Sequence, residues 1–252
     1  MYKLIRTLVR PFLVTGFALS SLHLHAEVQT MEKGEKISVG EGHAYSYVIY
    51  NHKHVPKTIG IALSDKAMHG LPSKMTEFSL KLPPGKPARP FRSIAINWNP
   101  LGHEPVDIYG LPHFDFHFYF ITDAARQAIK CMDEDTAKCT KRPNTDFIAP
   151  YYVPTPAGVP MMGWHWLDSR SPELHGEKFT STFIEGYYNG KMIFMEPMIT
   201  REFLLKEGSV NRSISLPERF FYAGWYPKTY VVTHDKLAKV YRIELKNMKF
   251  AQ

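Results

Sequence analysis

Apolar and polar residues alternate with a period of two along most of this chain, the pattern of strands with one face on a core. Tyr45, Tyr47 and Ile49 mark one such segment across residues 44–50, and residues 58–63 continue in the same style. Residues 76–82 and 93–98 predict two more strands, separated by a turn on Pro83, Pro84 and Gly85. Residues 180–188 and 191–198 flank Asn189-Gly190, the signature of a hairpin closed by a type I′ turn. Residues 229–232 and 240–250 alternate again near the end. Helical signals are few: Thr122 can cap a short helix over 124–130, and Thr200 another through Leu205. The pattern predicts a mainly β fold, an antiparallel sandwich or barrel with one or two short helices.

Composition narrows this further. Hydrophobic residues make up 44% of the 252 and charged ones 22%, the balance of a folded chain rather than a disordered one. Sixteen Phe and fourteen Tyr beside nineteen Pro and sixteen Gly suit short strands and many turns, and argue against a helical bundle. The N-terminus reads separately. Lys3, Arg6 and Arg10 precede an apolar stretch, and Leu24-His25-Ala26 closes it before polar residues begin. That is the layout of a secretory signal peptide over residues 1–26, leaving 27–252 as a single β-rich domain outside the cytoplasm, secreted or periplasmic. No other stretch is long and apolar enough to insert stably in a membrane. Removing the signal takes three positive charges from the formal +7, and no dense basic run remains to bind nucleic acid. In an exported chain, Cys131 and Cys139 predict a local disulfide, set in a Pro-rich insertion near 131–160.

The chemistry concentrates in three places. In His113-Phe114-Asp115-Phe116-His117-Phe118 a strand puts His113, Asp115 and His117 on one face and three phenylalanines on the other. One face then carries only metal-type ligands, as in a cavity wall inside a barrel or sandwich. Alternate residues stand about 6.7 Å apart along a strand, so two neighbours can meet at one ion whereas all three need a bulge. Either one of the trio orients the others or more than one ion is bound. The second place, Trp164-His165-Trp166-Leu167-Asp168, offers His165 as a further ligand with Asp168 behind it. The third is Glu196, set among Met192, Phe194 and Met198. Counting from the Asn189-Gly190 turn places it opposite Phe183, with Glu185 diagonal on the same face.

Asn97-Trp98-Asn99-Pro100, Gly102-His103-Glu104-Pro105, the 112–119 block, Met162-Gly163-Trp164-His165 with Asp168, and Gly190-Lys191 through Glu196-Pro197-Met198 follow in order. This series resembles a bacterial family of exported proteins known only as a domain of unknown function, over roughly residues 90–205. The resemblance implies an exported, β-rich protein, with a homo-oligomer among the expected states, and carries no activity with it. It adds His103 and Glu104 to the candidates.

The reading that follows is a divalent metal site, zinc favoured, on His113, Asp115, His117 and His165. His103 and Asp168 support it from behind, and Glu196 or Glu104 serves as general base of a metal-dependent hydrolase or lyase. The alternatives are a non-catalytic, homo-oligomeric envelope protein whose His/Asp cluster is a structural polar network, and a small-molecule binder walled by Trp164 and Trp166. No serine-hydrolase elbow, phosphate loop, dinucleotide fingerprint or H-E-x-x-H motif occurs.

Overall fold

The computed structural model describes residues 28–85 and 88–252, so the predicted signal segment lies outside the described residues. In chain order the strands are β1 (Gln29–Lys33), β2 (Ile37–Val39), β3 (Gly42–Asn51), β4 (Pro56–Ser64), β5 (Thr76–Leu80), β6 (Ser93–Asn99), β7 (His113–Tyr119) and β8 (Tyr152–Pro154). They continue with β9 (Trp164–Asp168), β10 (Ser181–Tyr188), β11 (Lys191–Thr200), β12 (Val210–Ser213), β13 (Gly224–Tyr226), β14 (Thr229–Asp235), β15 (Val240–Lys246) and β16 (Lys249–Ala251). Short helices are α1 (Val106–Tyr109), α2 (Asp123–Gln127), α3 (Thr136–Cys139) and α4 (Arg201–Leu205).

The strands form two seven-stranded antiparallel sheets. One runs β1-β3-β4-β15-β14-β12, with β2 also paired to β3; the other runs β5-β6-β7-β11-β10-β9-β8. β13 and β16 pair by themselves. The sheets pack as a sandwich and neither closes into a barrel. Their shared core sets Ile59, Ile61 and Leu63 of β4 and Ile243 and Leu245 of β15 in one cluster with Phe114, Phe116, Phe118 and Trp166 of the second sheet. Phe183 of β10 stacks on Tyr230 of β14 at 5.1 Å between ring centres, tying the layers together.

Local signals hold where a side chain enforces them. Asn189 and Gly190 both take positive φ, as a type I′ turn requires. Thr122 Oγ1 accepts from the Ala125 amide and Thr200 Oγ1 from the Phe203 amide, so both caps form. Helices α1 and α3 were not legible, because a single turn shows no helical period. Segment 131–160 is more integrated than an insertion: it contributes β8, the edge strand of the second sheet, and Cys139 is buried. The Cys131–Cys139 disulfide forms, and it packs against Gly158, where any side chain would collide with both sulfurs.

A second apolar cluster lies on the outward face of the second sheet. Tyr109 of α1, Ile129 and Phe179 cover Ala95, Tyr119, Ile184, Ile193, Phe194 and Met198 of the sheet. The sheet carrying the ligand strand is therefore covered on both sides. Among the described residues no helix is long and apolar enough to cross a membrane.

Phe116 is fully buried in the inter-sheet core. Phe116→Ala should lower unfolding free energy by about 3–5 kcal/mol in urea titration, whereas truncating the exposed Leu237 should change it by less than about 0.5 kcal/mol.

Candidate metal centre

β7 is central in its sheet, paired with β6 on one side and β11 on the other, and every residue from His113 to Tyr119 is buried. Phe114, Phe116 and Phe118 take the inter-sheet side. His113, Asp115 and His117 therefore point outward, beneath the second apolar cluster. The sequence pattern suggested a cavity wall between sheets; the structure instead puts the trio under a cover of loops and short helices. A strand so enclosed offers its polar side no bulk water.

The trio divides. His113 and Asp115 join His103 in one group, and His117 joins His165 and Glu196 in another; within each, one ligand atom per residue lies within 4.8 Å of the others. The four expected ligands thus belong to two sets. Each set is a buried cluster of imidazole and carboxylate groups that could hold a metal ion.

In the first group, His113 Nδ1 donates to the Leu111 carbonyl at 2.7 Å, which leaves Nε2 as a lone-pair donor. That Nε2 lies 3.0 Å from Asp115 Oδ1, an ion-pair distance without the alignment of a full hydrogen bond. Two ligand atoms bound tetrahedrally at roughly 2.0–2.2 Å stand about 3.3–3.6 Å apart, so this is close to a shared-ion spacing. Asn99 Nδ2 clamps Asp115 Oδ2 at 2.7 Å, and His103 Nε2 approaches the same oxygen at 3.9 Å. Gly102, at φ 71°, brings its loop against the Tyr109 carbonyl where a side chain would collide, and so carries His103 over the strand. The His103 ring packs edge-on against His113, with centroids 4.7 Å apart.

In the second group, Glu196 Oε2 lies 3.5 Å from His117 Nε2 and 3.6 Å from His165 Nε2, and Oε2 has no hydrogen-bond partner. Neither nitrogen of His117 has one. The register explains the meeting. β11 pairs with β7 through Met195↔Phe118 and Met198↔Asp115, which sets Glu196 across from His117. Gly186 pairs with His165 on one side and Phe194 on the other, and the Phe194 ring lies over it where a Cβ would stand. Phe194 then reaches both imidazoles, at 4.9 Å from His117 and 5.3 Å from His165.

Burial pushes the His117 imidazole down to about 3 and that of His165 to about 4, so both are neutral lone-pair donors near neutrality. Burial, and then the Asp115 charge, raise Glu196 well above the ordinary carboxyl range. Burial opposes the Asp115 carboxylate too, but the His113 ring beside it, and His103 after it, hold its carboxyl low. Glu196 ionises readily only beside a cation.

Three sequence expectations are corrected. Glu196 sits opposite Ile184, not Phe183, because a bulge between Gly186 and Tyr187 shifts the register by one. That slip sends Glu185 to the inter-sheet face, opposite Trp166 and away from Glu196. Glu104 is exposed and turns back to accept from the Val106 amide at 3.2 Å, and Asp168 forks onto Arg170 at 2.7 and 2.9 Å, so neither belongs to a ligand group. Trp166 is fully buried in the core, and Trp164 donates to the Thr155 carbonyl, so neither tryptophan lines a pocket beside the ligands. Surface clefts of 550 and 330 Å³ lie elsewhere, the first beside Arg89, Arg92 and Phe221, the second beside Pro112 and Arg201.

Sequence reading missed two residues. Asn99 holds Asp115, and its signal was the polar outward face of β6, Asn97 and Asn99 alternating with Ile96 and Trp98. Tyr119 continues the trio by two more positions; its ring stacks on His117 at 5.2 Å and its buried hydroxyl has no hydrogen-bond partner. Compared with family models, curated proteins and solved structures, the chain matches none.

The displaced Glu185 yields a test of its own. The Tyr187 hydroxyl lies 2.9 Å from both Glu185 Oε2 and the Phe147 carbonyl. It has one proton, so both contacts are satisfied when Glu185 is itself protonated. Burial raises Glu185 to about 8 from an ordinary 4.5. The folded protein then keeps a proton that the unfolded chain releases, and stability falls as pH rises from 4.5 to about 8, by on the order of 1.4 kcal/mol per pH unit. Glu185→Gln should remove that slope relative to wild type in urea titrations between pH 5 and 8. Parallel stability curves would show that Glu185 ionises normally.

Proposed function

We propose that this is an exported metalloprotein that binds a divalent transition ion, zinc favoured, at His117, His165 and Glu196, and uses it to activate water in a hydrolytic reaction. The observation that carries the reading is the set of buried atoms left without partners: both His117 nitrogens, Glu196 Oε2, His113 Nε2 and Asp115 Oδ1. Buried polar groups are ordinarily paired, and these converge on common points instead. A structural polar network exists to pair such atoms, so the unpaired set weighs against that alternative.

The donor chemistry favours zinc-type ions, since imidazole and carboxylate are its oxygen and nitrogen ligands and both histidines are neutral. Two His and one Glu form a three-ligand set, and catalytic zinc sites keep three protein ligands so that the fourth position stays open to water. An ion held there would bring that water's pKa towards neutrality. Glu196 then serves as ligand, which replaces its expected role as free base. Export of the chain rests on the N-terminal pattern and agrees with the disulfide.

The test is elemental mass spectrometry on the mature protein purified without an affinity tag. Zinc or another transition metal should copurify, and His165→Ala, at the less buried edge of the group, should lose that ion while keeping its circular dichroism. A wild type that is metal-free and refuses reloading would overturn the proposal. A His165→Ala protein that unfolds with its metal still bound would also overturn it, in favour of the structural network.

A further inference from the structure

We infer that the centre holds two ions, the second at His103, His113 and Asp115, and that together they bind a tetrahedral oxyanion, the phosphoryl group of a small molecule. This rests on the metal reading above and extends it.

The six residues form two sets of three, not one. Within each set the ligand atoms lie within 4.8 Å of one another, and Asp115 and His117, neighbours on the same face of β7, fall in different sets. The first group is also built as a site in its own right. His113 is fixed by the Leu111 carbonyl and Asp115 by Asn99, so each first ligand already has an orienting partner. His103 Nδ1 meets the Glu104 carbonyl at 2.8 Å, which turns its Nε2 towards Asp115. His113 Nε2 and Asp115 Oδ1 are buried, unpartnered and aimed into the group.

Charge then selects the ligand. The groups contribute two carboxylates, Asp115 and Glu196, and the buried Arg126 guanidinium beside Tyr119 is already forked onto Glu77. One divalent ion would neutralise the two carboxylates; two leave a net positive centre under an apolar cover, where an anion is held strongly. Both groups project from the same face of β7, so an anion with several oxygens in different directions can meet both ions. A phosphoryl group has that shape. Entry is from the first group, because the His103 side chain is 32% exposed whereas that of His113 is fully buried.

The experiment counts zinc in wild type, His165→Ala and His103→Gln, each checked for fold by circular dichroism. Calorimetry then measures binding of inorganic phosphate to the zinc-loaded forms. His103 is partly exposed at the rim, so its variant should fold. The expected result is about two equivalents in wild type and about one in each variant, with phosphate binding at least about tenfold weaker in both. One equivalent in wild type, lost in His165→Ala and kept in His103→Gln, would overturn the second ion and leave the proposed function standing. Two equivalents with no phosphate binding would overturn the oxyanion. Absence of zinc from every form would remove both proposals.

Discussion

β7 is buried on both faces, and most of the structure around the candidate site follows from that constraint. A strand with one face on a core and the other in water can place any polar residue outward without consequence. Here the outward positions are His113, Asp115 and His117, and they are covered as completely as the phenylalanines behind them. Polar groups taken out of water need partners or a compensating charge. The inner row is satisfied by packing alone, while the outer row depends on what the loops bring to it.

Those loops bring specific things. The Gly102 turn delivers His103, the Leu111 carbonyl fixes His113, and Asn99 of the neighbouring strand restrains Asp115. On the other side Gly186 makes room for Phe194, and Phe194 packs against both His117 and His165. The apolar cover of Tyr109, Ile129 and Phe179 keeps water out, which strengthens every electrostatic interaction beneath it. The disulfide belongs to the same cover, since Cys131 packs on this cluster and Cys139 against Gly158. Fold and site are therefore coupled through the outer layer as much as through the sandwich.

What could be read from the sequence was whatever depends on neighbours in sequence. Alternation located the long strands, Asn189-Gly190 located the hairpin, and H-x-D-x-H located the ligand strand, because each is a local rule. The distance limit along a strand also pointed to a division of the trio unless a bulge intervened, and the three do fall in two clusters. Non-local facts were lost. Whether the ligands faced the sandwich interior or an outer cover depends on which sheet β7 joins and what crosses it. His103 came into view only through a family resemblance, since nothing within its own segment marks it as lying over β7. The bulge at Gly186 was invisible, and an error of one residue there was enough to put Glu185 on the wrong face.

That bulge also explains how one hairpin carries two buried carboxylates with opposite fates. Glu185 and Glu196 stand one register step apart and point to opposite sides of the same sheet. Glu185 meets Trp166 and Tyr187 in the inter-sheet core, where the tyrosine hydroxyl can accept a hydrogen bond from the protonated acid and donate its own to the Phe147 carbonyl. Its burial is tolerated by neutralisation, and no cation is needed. Glu196 has no such hydroxyl donor; its neighbours are two imidazoles, both driven neutral by burial, whose Nε2 atoms lie 3.5 and 3.6 Å away. Neither contact is a hydrogen bond, and Oε2 is left without a partner. The inner acid is thus settled by protonation, while the outer one stands in a cluster that could hold a cation, and the register slip is what separates the two.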